Sequence, residues 1–94
     1  MKYFSLDEFD SPDHKGSGIN MDHNFLELLN NAREIAGIPF KITSGYRTAE
    51  HNSKVGGVKN SSHLSGVAAD IGVGSGNERY IILNALIRAG FKRL

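Results

Sequence analysis

The residues of this chain best suited to chemistry are a histidine and an aspartate, His63 and Asp70, which lie seven positions apart. The residues between them are small or uncharged, and Gly66 permits a tight reversal that would bring the following segment back past the imidazole. The chain contains no cysteine, so a metal ion would have to be bound by His, Asp or Glu side chains. Zinc accepts both an imidazole and a carboxylate, and a catalytic zinc uses three protein ligands and an open fourth position. Judged by composition alone, the alternative to a zinc site is that the two residues are ordinary surface or capping residues.

The size and charge of the chain exclude several classes of function. Its 94 residues predict one small domain, and the net charge of +1 argues against a nucleic-acid or membrane partner attracted by bulk charge. No apolar run is long enough to span a bilayer, and the N-terminus, "MKYFSLDEFD", turns acidic where a secretory signal would turn apolar. We therefore expect a protein that is made in a cytoplasm.

Four helical segments are predicted, three of them from periodicity and capping-box residues. The capping-box pattern of Ser5 and Glu8 predicts one helical turn at 5–9. The segment 21–37, with Asn20 or Asp22 as its cap, should bury one face made of Phe25, Leu28, Leu29, Ala32, Ile35 and Ala36. The last helix, 75–90, repeats the capping box with Ser75 and Glu78, and its apolar face should consist of Ile82, Leu83, Leu86 and Ile87.

Two short strands should lie between these helices. Alternation predicts strands at 40–44 and 67–73, and the second sends Asp70 to the face opposite Val67, Ala69 and Ile71. Thr48 can cap a short helix that ends before Gly56 and Gly57, and the final residues, "FKRL", resemble the start of a further strand. The pattern predicts an α+β domain with a small, mainly antiparallel sheet packed against helices.

Two motifs together resemble the zinc-dependent D-alanyl-D-alanine carboxypeptidase family, whose fold is shared with hedgehog signalling domains. The first is the run Ser44, Gly45, Tyr46 and Arg47, and the second is the signature formed by Ser61, His63, Gly66, Ala68 and Asp70. The opening "FSLDEF" and the run "VGGVKNSSH" are similar to the small, phage-type members. The resemblance covers nearly the whole chain, 1–94, which we interpret as a single DD-peptidase-like domain.

The resemblance implies specific roles for four residues. His63 and Asp70 would bind Zn²⁺, Arg47 would polarise the scissile carbonyl or hold the substrate, and Ser61 would contact the substrate or shape the loop. The family also requires a third ligand, a histidine, and a carboxylate that acts as general base, on strands after the last helix. No histidine follows Asp70, so we expect the domain to be C-terminally incomplete. The other histidines, His14, His23 and His51, are poor substitutes by position.

The predicted function is a zinc metallopeptidase that hydrolyses peptide bonds beside D-amino acids in bacterial cell-wall peptidoglycan. This 94-residue chain would be inactive alone if the third ligand and the base are absent. In a phage setting the enzyme would reach the cell wall at lysis, and we expect it to act as a monomer. One alternative is a non-catalytic module that binds wall peptide or a protein through a degenerate metal site. Another is a structural protein of a phage particle, because fold alone does not determine function.

Overall fold

A computed structural model describes residues 2–91 of the chain. Three α-helices and two β-strands follow one another in the order α1 (His23–Ala36), β1 (Lys41–Ser44), α2 (Ala49–Lys54), β2 (Asp70–Gly72) and α3 (Gly76–Ala89). Three 3₁₀ turns accompany them, at Leu6–Phe9, Ser17–Asn20 and Ser62–Ser65. The fold is therefore α+β with a small antiparallel sheet, as the sequence predicts.

Short polar side chains begin each helix. The Asp22 carboxylate accepts from the backbone N–H of Phe25 at 2.9 Å, and the hydroxyl oxygens of Thr48 and Ser75 accept from backbone N–H groups three residues later. Each of these bonds satisfies a donor that the first turn of a helix leaves unpaired. The caps and bounds of all three helices agree with the sequence prediction.

The core lies between α1 and α3 and extends to the N-terminal 3₁₀ turn. It contains three phenylalanines, and the rings of two of them, Phe4 and Phe9, meet edge to face with centroids 5.7 Å apart. The buried apolar side chains are Phe4, Phe9, Met21, Leu26, Leu29, Ala32, Phe40, Ile82, Ala85 and Leu86. Burial of aromatic rings at this centre fixes the turn Leu6–Phe9, against which the segment after β1 packs.

The predicted faces of the two long helices are partly wrong. On α1, Leu28 and Ile35 are exposed, and Leu26 is buried in their place. On α3, Leu83 and Ile87 are exposed, and Ala85 is buried beside Ile82 and Leu86. Apolar residues cover more than one side of each helix, so the position of the neighbouring helix decides which of them are buried.

The two strands pair antiparallel with one irregularity. Ile42 lies opposite Ile71, and Ser44 lies opposite Asp70, so one extra residue, Thr43, bulges from β1. The second strand is shorter than the predicted segment 67–73, because only Asp70–Gly72 has a partner. Bulges re-aim side chains, and this one sets Asp70 beside the end of β1. The further strand predicted in "FKRL" covers residues 91–94; Phe91 is not in a strand, and residues 92–94 lie outside the described residues.

Candidate functional site

The imidazole of His63 is held in one orientation by the backbone around it. The Ser61 hydroxyl accepts from the backbone N–H of His63 at 3.2 Å and so caps the 3₁₀ turn Ser62–Ser65. Nδ1 of His63 lies 2.7 Å from the carbonyl oxygen of Gly45. A carbonyl only accepts, so Nδ1 carries a proton, and in the neutral imidazole Nε2 then presents a lone pair. This arrangement is typical of metal-binding histidines, whose second ring nitrogen donates to a fixed acceptor.

Backbone contacts hold the His63 turn between α1 and the end of β1. The N–H of Arg47 donates to the carbonyl of His63 at 3.1 Å, and the N–H of Asp22 donates to the carbonyl of Gly66 at 2.8 Å. Gly66 ends the turn in the left-handed region, with φ +72°, and a Cβ there would lie 2.4 Å from the carbonyl oxygen of Asn20. Only glycine fits this position, and the turn reverses here, as the sequence predicts.

Asp70 meets the free nitrogen of this imidazole. Its Oδ1 lies 3.7 Å from Nε2 of His63, a separation too long for a hydrogen bond. With the imidazole neutral, the Nε2 lone pair and the carboxylate oxygen face each other across a gap in which a cation would be stabilised. Tetrahedral ligands at the usual zinc distances of about 2.0–2.2 Å lie about 3.4 Å apart, so the pair needs only a small adjustment to share one ion. The aspartate side chain is 56% exposed and the histidine side chain 12%, so the gap opens to solvent on the carboxylate side.

Arg47 completes a triad with these two residues. Its guanidinium donates from Nε to the Ser44 hydroxyl at 3.4 Å and from Nη1 to Oδ1 of Asn52 at 3.3 Å, while Nη2 lies 3.7 Å from Oδ2 of Asp70. The arginine side chain is 17% exposed, so its charge is partly shielded from water. A planar cation fixed beside a His–Asp pair can bind a carboxylate or a developing oxyanion.

A groove leads away from two members of this triad, His63 and Asp70. It has a volume of about 710 Å³, begins at His63 and Asp70, and continues over apolar side chains of α1, α3 and the segment before β2. Phe25, Val67, Ala69 and Ile71 are among its walls. A polar end and apolar walls are the usual composition of a site for a small ligand or a short peptide.

The other titratable residues considered from the sequence do not join the triad. His23 pairs with Glu27 at 3.2 Å on the exposed side of α1, and His14 lies in the loop between the turns Leu6–Phe9 and Ser17–Asn20. Glu78 accepts from the backbone N–H of Gly74 at 2.9 Å and serves the start of α3. Within residues 2–91, no group of three His, Cys, Asp or Glu side chains lies close enough to hold a metal ion. His63 and Asp70 therefore fit two of the positions around a zinc ion, and the described part of the chain offers no third.

Sequence reasoning named the triad but missed its supports. Gly45 supplies the carbonyl that orients His63, and a Cβ on it would lie 2.7 Å from Cα of Phe9. Asn52, on α2, is buried and accepts from Arg47. The glycine of the Ser-Gly-Tyr-Arg run was a usable signal for close packing, whereas nothing in the local sequence marks Asn52 as a partner of Arg47.

No helix within residues 2–91 is long and apolar enough to cross a membrane.

Comparison with known proteins gives two findings. A family model described as Peptidase M15 matches residues 2–93. A zinc D-Ala-D-Ala carboxypeptidase from Streptomyces albus G is 49% identical over 37 residues, which make up 39% of this chain. The aligned stretch spans 14% of that relative's length. No solved structure matches the chain significantly.

Proposed function

The chain belongs to the Peptidase M15 family, and from this premise we propose that it is a zinc metallopeptidase that hydrolyses peptide bonds beside D-amino acids in cell-wall peptides. One observation carries the proposal: Nε2 of His63, with its proton on the opposite nitrogen, faces Oδ1 of Asp70 at 3.7 Å. The name of the matching relative, a zinc D-Ala-D-Ala carboxypeptidase, supports the choice of metal and substrate.

In this proposal His63 and Asp70 hold the zinc ion, and any further protein ligand lies outside the described residues. A bound zinc supplies Lewis-acid chemistry, since it polarises a carbonyl oxygen and lowers the pKa of a bound water to about 7. The chain itself holds His63 and Asp70 in position before the metal binds. Gly45 sets the imidazole tautomer, and pairing of β2 with β1 sets the position of the carboxylate. A preformed pair requires little rearrangement to bind the ion.

Arg47 binds and orients the substrate. Its guanidinium is positively charged at every physiological pH, and its Nη2 end faces the same side as the carboxylate of Asp70. From there it can donate to the carbonyl oxygen next to the scissile bond or to the terminal carboxylate of a D-Ala-D-Ala peptide. The apolar groove would receive the rest of the peptide and exclude water from the reacting bond.

Release of D-alanine tests the proposal. The proposed activity needs a third ligand, which residues 2–91 do not offer, so the test uses the full-length protein that contains this chain, with zinc added. That protein should release D-alanine from an acylated Lys-D-Ala-D-Ala peptide, and its Arg47→Ala variant should lose at least about 10²-fold in rate, the cost typical of removing one oxyanion donor. Arg88→Ala is the matched control, because Arg88 is exposed on α3 and should leave the rate unchanged. Equal rates for the two variants would contradict the role of Arg47, and no release by the parent protein would refute the peptidase.

A second candidate is a module that binds wall peptide without cleaving it. The observation that favours it is the lack of a third ligand among residues 2–91. Binding of the same peptide that depends on Arg47, with no D-alanine released at any zinc concentration, would support this candidate over the peptidase.

A further inference from the structure

Asn52 is the most buried amide near the site, and both ends of its side chain are paired. The residue is only 3% exposed. Its Oδ1 accepts from Nη1 of Arg47 at 3.3 Å, and its Nδ2 donates to the carbonyl oxygen of Val58 at 2.8 Å. A buried amide costs free energy unless it is hydrogen-bonded, so a polar side chain here requires a reason beyond packing.

The loop after α2 closes over this amide. The N–H of Gly57 donates to the backbone carbonyl of Asn52 at 2.8 Å, and a Cβ on Gly57 would lie 2.1 Å from Oδ1 of Asn52. The bond to Val58 also determines which way the amide faces. Because a carbonyl only accepts, Nδ2 must point to Val58, and Oδ1 is then directed at Arg47.

The guanidinium is thereby held from two sides. Ser44 accepts from Nε and Asn52 accepts from Nη1, so the plane of the group is fixed and Nη2 is left to face Asp70. A neutral amide can do this without neutralising the charge, whereas a carboxylate would form an ion pair that competes with a substrate. We propose that Asn52 is a positioning residue that holds the Arg47 guanidinium toward the His63–Asp70 pair. The consequence of Asn52 for turnover rests on the proposed function, whereas its effect on the orientation of the Arg47 guanidinium does not.

Nuclear magnetic resonance of the Arg47 side chain tests this inference directly. The Nε–Hε signal is assigned by its loss in Arg47→Lys. In Asn52→Ala, its order parameter should fall from the rigid range, about 0.85, to below about 0.6. Asn30→Ala is the matched control, because Asn30 also uses its side chain to pair a backbone group, accepting from the N–H of Tyr3 at 3.1 Å, and lies on α1 away from Arg47. A folded Asn52→Ala variant with an unchanged Arg47 order parameter would overturn the proposal.

A second variant decides the matter if Asn52→Ala does not fold. Asn52→Asp keeps an acceptor oxygen and adds a charge beside Nη1, so the Arg47 Nε–Hε signal should shift and its exchange with solvent should slow. A signal that stays in place would refute the contact. If Asn52 only supported the loop, its replacement would lower the stability of the protein without changing the chemical shift or the solvent exchange of the Arg47 signal.

Turnover separates this inference from the proposed function. If the parent protein releases D-alanine, Asn52→Ala should lose roughly 10²-fold in kcat, the effect of a small misplacement, and should cost nothing further in an Arg47→Ala background. If the parent protein releases no D-alanine, the peptidase function is refuted, and the nuclear magnetic resonance test alone then decides the role of Asn52. Release that is unaffected by Asn52→Ala, together with an unchanged Arg47 signal, refutes the positioning role alone.

Discussion

Replacement of Gly66 by alanine tests how the site is held in place. Gly66 follows the turn that carries His63, and its carbonyl accepts from the N–H of Asp22 at the start of α1 at 2.8 Å. The new Cβ would lie 2.4 Å from the carbonyl oxygen of Asn20 and 2.8 Å from Cα of Met21. These are backbone atoms, so the contact is relieved only if the turn moves away from α1.

The expected loss of stability has two parts. A left-handed conformation costs an alanine about 1–2 kcal/mol relative to glycine. Overpacking against fixed neighbours adds about 1–3 kcal/mol, so Gly66→Ala should lose about 2–5 kcal/mol. Gly56 provides a matched control, because it has a similar φ of +75° with no atom within 4 Å of its Cβ. Gly56→Ala should therefore show only the conformational cost, about 1–2 kcal/mol.

Urea unfolding followed by circular dichroism measures both variants. The midpoint of Gly66→Ala should lie clearly below that of Gly56→Ala, and because the His63 turn must shift, zinc affinity should fall in the Gly66 variant alone. Equal midpoints for the two variants would mean that the turn does not pack against α1 as described, and the reasoning would be refuted.

Three further predictions follow from single contacts. Hydrogen bonds from the N–H groups of Gly16 and Gly18 lower the pKa of Asp10 below its usual 3.8, so its stabilisation is present above that pH and is lost as the pH falls through the folded-state pKa. Asp10→Asn should be less stable than the parent protein at pH 7, and thermal unfolding should show this difference in stability disappearing below pH 3.8. A difference that is constant with pH would contradict the role of Asp10. Ser61→Ala should lose about 1 kcal/mol in urea unfolding through the cap of the His63 turn, and no loss would mean that the cap is dispensable. Arg47→Ala should keep its zinc content by metal analysis, and loss of the metal would make Arg47 structural.

Local chemistry explains which parts of the fold the sequence predicts. Asp22, Thr48 and Ser75 cap helices through bonds to residues three positions away, so short-range patterns suffice to find them. Burial depends on neighbours distant in sequence. Leu28 and Leu26 are both apolar residues of α1, but Leu26 joins the buried core whereas Leu28 is exposed beside the groove, a difference that only the tertiary packing decides.

The same distinction applies to the site. The triad was predicted from a resemblance in residue types and spacing. In the structure Nε2 of His63 and Nη2 of Arg47 each lie 3.7 Å from a carboxylate oxygen of Asp70. Their roles in binding metal and substrate stay predictions. The contact of Asn52 with Arg47 depends on how α2 and the following loop pack, which no local pattern encodes. Of the two roles predicted for Ser61, the contacts favour shaping the loop, since its hydroxyl caps the turn.

Zinc titration by calorimetry tests the central claim most directly, with His63→Ala and Asp70→Ala measured beside the parent and His51→Ala as the histidine control. The parent and the His51 variant should bind one zinc ion per chain with the same affinity. Each ligand variant should bind at least about 10-fold more weakly, because removal of a ligand costs no less than removal of its hydrogen-bond partner. Affinities that are equal in all four proteins would show that the imidazole and the carboxylate do not share a metal ion.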